Sequence, residues 1–182
     1  KYSQREGVSE ERFCQSCDKG KYSDVLGASS GTTCTYCAAG KYSVVTGSTV
    51  ESDCQWCAAG KYSAIPGAFA ETACIVCAAG KYSVIVGAGS ETMCFSCVPG
   101  KYSTQTGGAS NETCLNCAVG KYSTTFGAAY EELCLACGEG RYSTTVGAWS
   151  ETLCILCTQG KFSTLVIATS EDACQQCAAG KY

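Results

Sequence analysis

Short apolar bursts separated by small and polar residues recur along this chain at one fixed interval. Runs such as "GKYSVVTG" (40–47) and "GKYSVIVG" (80–87) set aromatic and β-branched residues between two glycines. Each predicts a short strand. The stretch into the following cysteine, such as "ETMCFSC" (91–97), predicts a second short strand. Each interval therefore reads as a small hairpin-like loop. Nothing reads as a helix, and almost none is expected.

The interval is twenty residues. Cysteines stand at 14 and 17, at 34 and 37, and so on to 174 and 177, giving nine Cys-x-x-Cys pairs without an insertion. Glycine follows each pair by three residues, then a cation, an aromatic and a serine, with Arg141 and Phe162 as the mild variants. A second glycine recurs from Gly7 to Gly147, and Ile167 replaces it in the ninth copy. A positive φ is expected at this glycine. Isoleucine adopts that conformation only at a cost, so the ninth turn is expected to differ, unless the glycine serves close packing instead. Self-similarity at a fixed period marks a repeat array. Residues 1–182 read as one continuous array of about nine repeats, and the shared phase of its two ends predicts a segment of a longer array. The first copy, with Arg5, Glu6, Glu10, Glu11 and Arg12, reads as a boundary.

Composition narrows the class. Eighteen cysteines in 182 residues approach the density of disulfide scaffolds. A twenty-residue unit buries too little surface to fold by itself, so it needs staples or neighbours. The net charge is −3 and no basic cluster exists, which argues against a nucleic-acid partner. No apolar run is long enough for direct membrane insertion of this segment. The chain has no histidine, no nucleophile elbow, no phosphate loop and no clustered Asp/Asn calcium loop. Neither an enzyme nor a cofactor is expected.

Three chemistries compete for the cysteines. Cys-x2-Cys-x16-Cys-x2-Cys lies within four-thiolate zinc spacing, but nine pairs leave one over and every intervening loop has the same design. A redox Cys-x-x-Cys needs a depressed thiol pKa, usually at a helix start, and no such helix is seen. Structural disulfides fit best. Closing a loop of 16 residues stabilises it by about 3 kcal/mol in the chain-entropy model. A bond inside one Cys-x-x-Cys would close a tiny strained ring and hold nothing. Bonding Cys17 to Cys34 closes the loop that contains Gly20, Tyr22 and Gly27. The same rule gives Cys37–Cys54, Cys57–Cys74, Cys77–Cys94, Cys97–Cys114, Cys117–Cys134, Cys137–Cys154 and Cys157–Cys174, with Cys14 and Cys177 bonded outside this segment.

The unit "CAAGKYSVVTGSTVESDCQWC" (37–57) resembles the ephrin receptor-like cysteine-rich repeat, roughly Cys-x-x-Cys-Pro-x-Gly-Thr-Tyr-Ser followed by a Gly-Ala turn. Lysine or arginine stands where threonine is usual, and alanine where proline is usual. The loop is also similar to the first module of tumour necrosis factor receptor cysteine-rich domains. There one disulfide closes the loop around the tyrosine, which agrees with the pairing above. The resemblance covers the whole chain. It implies a fold and an extracellular or cell-surface, secreted setting, without specifying an activity.

The fold class expected is a small disulfide-rich one, mostly β and loop, with the tandem repeats forming an elongated rod. The alternative is a compact β-solenoid. That alternative would stack the cations at the strand spacing of about 4.8 Å. Like charges directly opposite destabilise a sheet. The glutamates at 51, 71, 91, 131, 151 and 171 lie ten residues from their lysines, and are expected to be out of reach within one coil. The lysine is expected to face outward.

A thin disulfide scaffold has little interior for large apolar residues. Those between the paired cysteines (Tyr36, Trp56, Ile75, Val76, Phe95, Leu115, Leu135, Ile155, Leu156) and beside the second glycine (Phe69, Tyr130, Trp149) either pack on a neighbouring repeat or form a contact surface. Trp56, Phe69, Phe95, Leu115, Leu135, Trp149, Ile155 and Leu156 are the candidate assembly surface. The tyrosine column is expected to cover the disulfides. Asn111-Glu112-Thr113 is a glycosylation sequon, so glycans are candidate partners. The expected function is an extracellular structural repeat protein that self-associates with identical chains into a filament or surface coat. The alternative is a ligand-binding or adhesion ectodomain of a cell-surface receptor. A ligand site would break the repeat in one or two places, whereas an assembly surface would recur in most copies.

Overall fold

A computed structural model describes residues 1–7, 10 and 13–181 of the chain; Glu11 and Arg12 of the expected boundary lie outside them. Two compact units result, Lys1–Cys77 with Ser83–Cys94, and Ala78–Tyr82 with Phe95–Tyr182. Both are built from one element. In the first unit Lys41–Tyr42 pairs antiparallel with Gln55–Trp56, with Lys41 opposite Trp56. In the second, Lys101–Tyr102 pairs with Leu115–Asn116 in the same register.

The first strand is shorter than the apolar run that predicts it. Only the Lys-Tyr pair enters the ladder. The next residue diverts the backbone: the Ser43 N–H donates to Ala68 O of the following loop (3.0 Å), and Ser43 Oγ accepts from the Val45 N–H (3.3 Å). The second strand is also shorter. Glu91–Met93 of "ETMCFSC" forms a 3-10 turn, closed by the Cys94 N–H donating to Glu91 O (2.9 Å), and only Phe95–Ser96 is strand. A single 3-10 turn reverses the chain in three residues, which brings the first cysteine of one pair back to the second of the pair before. Ser30, Ser110 and Ser150 cap three of these turns by accepting from the N–H two residues on. Among the described residues the helical structure consists of such 3-10 turns alone.

Each turn ends at a disulfide. Among the described residues eight form: Cys17–Cys34, Cys37–Cys54, Cys57–Cys74 and Cys77–Cys94 in the first unit, and Cys97–Cys114, Cys117–Cys134, Cys137–Cys154 and Cys157–Cys174 in the second. Cys14 and Cys177 carry free thiols. The two members of each complete inner Cys-x-x-Cys thus belong to different bonds.

Backbone hydrogen bonds tie each loop to the next. The Gly40 N–H donates to Ser63 O (2.8 Å), and the Gly67 N–H reaches back to Cys37 O (2.7 Å). The second unit repeats this with Gly100 to Ser123 O and Gly127 to Cys97 O, both 2.8 Å. The two-stranded sheets stay separate, one per loop, so no continuous solenoid sheet forms among the described residues. The interior is made of small groups only. Half-cystines, the serine after the aromatic (Ser43, Ser63, Ser83) and the alanine after the second glycine (Ala88, Ala128, Ala148) are buried.

Each loop also meets the next but one. A Cβ added to Gly40 would fall on the carbonyl of Gly87, and one added to Gly100 on the carbonyl of Gly147. These glycines have φ near +80°, so they are needed twice: for conformation and for contact. The second-glycine turn keeps its shape in the ninth copy, contrary to expectation. Ile167 takes φ +68°, within the range of the glycines it replaces, and its N–H still donates to Cys137 O, at 3.2 Å against 2.8 Å for Gly147 to Cys117 O. The inter-loop bond holds the turn, and the isoleucine keeps the left-handed backbone conformation at its usual cost for a β-branched residue.

Two consequences are measurable by denaturant unfolding of the oxidised chain. Gly140 has φ +72° but open space around its Cα. Gly140→Ala should cost about 1 kcal/mol from conformation alone, and Gly100→Ala a further 1–3 kcal/mol or so from overlap. Equal losses would remove the contact argument. Ile167→Gly should raise stability by about 0.5–1 kcal/mol; a loss would show that the turn is unstrained.

Candidate functional site

With an interior of sulfur, methyl and hydroxymethyl groups, the large apolar residues lie outside. Trp56, Phe95, Leu115, Leu135, Ile155 and Leu156, between the paired cysteines, are exposed, as are Phe69 and Trp149 beside the buried alanine. The arrangement follows from the flanking half-cystines. Cys54 and Cys57 both turn inward, so the two residues between them form a strand lying on the outside of the loop.

Sequence reasoning missed part of this surface. Val44, Val45, Val84 and Val86 are expected in strand, yet they sit beyond the Lys-Tyr pair and are exposed, as are Ile65 and Phe126 at the same place in their loops. Leu26 is 97% exposed. Their signal was the serine before them, whose backbone leaves the ladder. The buried serines and alanines were also not recognised as interior. Their signal was size: those positions hold only Ser, Ala or Gly in every copy described as disulfide-closed.

Some outward aromatics are also held locally. The Lys41 Nζ lies 3.9 Å from the centre of the Trp56 ring, while Trp56 packs against Gly87 of the loop next but one to that of Lys41. Lys21 and Gly67 hold Tyr36 in the same way, with the ammonium 4.6 Å from the ring centre. Tyr82 and Phe95 face each other across the strands with centroids 6.0 Å apart. For Tyr36 and Trp56, packing on a neighbour and exposure coexist: Trp56 keeps 56% of its surface.

The charges depart from expectation. Lys41 Nζ lies 2.6 Å from Glu51 Oε1, and Lys61–Glu71, Lys121–Glu131 and Lys161–Glu171 pair at 3.1, 3.0 and 2.8 Å. A separation of ten residues therefore suffices within one loop. The hairpin folds the 3-10 turn back beside the lysine, a geometry that a stretched coil lacks. The lysines do not all face outward either: Lys41 is buried beneath its tryptophan and glutamate. At Lys161 the hydrogen bond that its ammonium donates to Glu171, and then the charge of that carboxylate, raise the ammonium pKa above the ordinary lysine value.

The remaining candidates stand apart from this surface. Asn111 begins an exposed 3-10 turn capped by Ser110. The free thiols of Cys14 and Cys177 are half-buried, near opposite ends of the described residues. Sixteen half-cystines offer no thiolate, and no cluster of three or more metal-ligating side chains occurs among the described residues. No helix among them is long and apolar enough to cross a membrane.

Residues 100–154 match the family described as tyrosine-protein kinase ephrin type A/B receptor-like. No curated protein matches the chain. The matched stretch contains Cys114, Cys117, Cys134, Cys137 and Cys154, together with the glycine and tyrosine positions shared by the other loops. Its disulfide density and its receptor-type family point to an extracellular location. Residues 100–154 thus have the pattern of ephrin receptor-like cysteine-rich repeats, and the same spacing of cysteine, glycine and aromatic residues recurs in the other loops.

Proposed function

We propose that the chain is a non-catalytic, extracellular structural element, stiffened by its disulfides, that associates with identical chains into a filament or surface coat. The observation that carries this reading is the inversion of its apolar residues. Sulfur and methyl groups fill the inside, while Val, Ile, Leu, Phe and Trp recur on the outside of most loops in both units. Water contact of this extent is unfavourable, at roughly 25 cal/mol per Å² of apolar surface left uncovered. A surface that recurs with the repeat is suited to a partner with the same repeat. The Lys–Glu pairs neutralise the polar flank of four loops from within, so copies can approach without charge repulsion.

The match to a receptor-like family favours a second reading, an ectodomain that binds a different protein. Uniform recurrence supports self-association over it, since a single ligand would need a single site.

Thiol titration tests the staple. Native chain should show two reactive thiols, Cys14 and Cys177, and eighteen after reduction and denaturation; eighteen before reduction would exclude it. Sedimentation and electron microscopy test association. Oxidised chain should form concentration-dependent higher species. Trp149→Glu and Leu156→Lys should abolish them while changing unfolding stability by about 0.5 kcal/mol or less, because both side chains are exposed. A wild-type chain that stays monomeric at all concentrations, and that instead captures a defined second protein, would replace this reading with the receptor one.

A further inference from the structure

The loop closed by Cys97–Cys114 departs from the pattern in several ways at once. Position 111 is the one at which Glu51, Glu71, Glu131 and Glu171 pair with the lysine ten residues before. Asn111 offers no carboxylate there, and Lys101 makes no such ion pair among the described residues. The tip of the loop also changes. Of the disulfide-closed loops among the described residues, every other one exposes at least one of Val, Ile, Leu or Phe beyond its serine, whereas this loop exposes Thr104, Gln105 and Thr106. A hollow lined by Ser103, Thr104, Gln105, Ser110, Glu112 and Thr113 opens beside Asn111, with hydroxyl, amide and carboxylate groups on its walls and Leu115 as its one apolar side. Asn111 itself is exposed at the head of its turn.

These departures share one physical account. A carbohydrate needs an exposed amide, room beside it, polar groups for its hydroxyls and an apolar patch such as Leu115 for a sugar face. We propose that Asn111 carries an N-linked glycan, whose first sugar lies along this polar hollow. In the transfer, Asn111 Nδ2 bonds to C1 of an oligosaccharide delivered on a lipid diphosphate. The bond from C1 to the diphosphate oxygen breaks, the lipid diphosphate leaves, and the amide proton passes to a base. No redox change occurs. Asn111-Glu112-Thr113 supplies the acceptor pattern. The inference is independent of self-association, and it marks the tip of this loop, Thr104 to Thr106, as a place where the apolar residues are replaced by polar ones.

The test is secretion of the full chain, behind an added signal sequence, from a eukaryotic cell line. Intact mass and peptide mapping are read before and after amidase removal of N-glycans. The expected result is one N-glycan, with Asn111 converted to Asp on its release. Asn111→Gln should abolish the mass shift and leave secretion and the two-thiol count intact. Asn111→Glu should do the same and, in unglycosylated material, restore an ion pair with Lys101, read as a raised lysine pKa by NMR. Secreted wild-type chain with Asn111 unmodified would overturn the proposal, as would a glycan that persists in Asn111→Gln.

Discussion

Everything in this fold follows from how closely its loops approach one another. Backbone lies against backbone with only a disulfide, a serine or a methyl group between, and at Gly40 and Gly100 not even a methyl group fits. A space that narrow cannot hold the leucines and phenylalanines that stabilise ordinary domains. The hydrophobic effect, normally the dominant favourable contribution, is largely unavailable to the interior. Covalent closure takes its place: each bond spans a sequence separation of 17 and limits the unfolded chain by about 3 kcal/mol in the loop-entropy picture. Inter-loop hydrogen bonds such as Ser43 to Ala68 add direction rather than bulk.

The same narrowness governs the outside. Residues too large for the interior are displaced to loop tips and to the strand between paired cysteines, where chemistry can vary without disturbing the repeat. This explains why cysteine, glycine and serine return almost unchanged while Trp56, Phe95, Leu115 and Ile155 share an environment but not an identity. The lysines mediate between the two regions. Lys41 covers Trp56 with its ammonium and pairs with Glu51, so one side chain joins the ladder, the aromatic and the turn. The pairs at Lys61, Lys121 and Lys161 are more open to water and contribute little to stability. At Lys41 the pair also helps to fix where the outward Trp56 lies.

The hairpins and their twenty-residue phase were legible because glycine and β-branched clusters mark turns and strands locally. Contacts between copies were much less so. A period announces that every copy has the same neighbours, but not which copy touches which; the approach of Gly40 to Gly87 has no local signature. The Lys–Glu pairing was misjudged because it depends on where the 3-10 turn folds back, and Glu-Ser-Asp or Glu-Thr-Ala carry only a weak turn signal. Ile167 was misjudged for a related reason: local propensity predicted relaxation, whereas the hydrogen bond to Cys137 is set by the neighbouring loop. On the surface, the apolar residues beyond the serine read as strand because periodicity cannot distinguish a residue buried in a sheet from one extended at its edge.

The staggered bonding of each Cys-x-x-Cys has a mechanical meaning. Tension along the covalent chain does not travel around a closed loop; it crosses the disulfide, whose Cα atoms lie 5.6–5.7 Å apart, and then runs the three residues to the next bond. At full extension a repeat therefore spans about 16 Å, against about 70 Å once its bond is cut. Oxidised, the chain has a capped extension, and reduction of a single bond releases a fixed length of hidden slack. Thiol chemistry in the surroundings would thus set how far this chain can stretch.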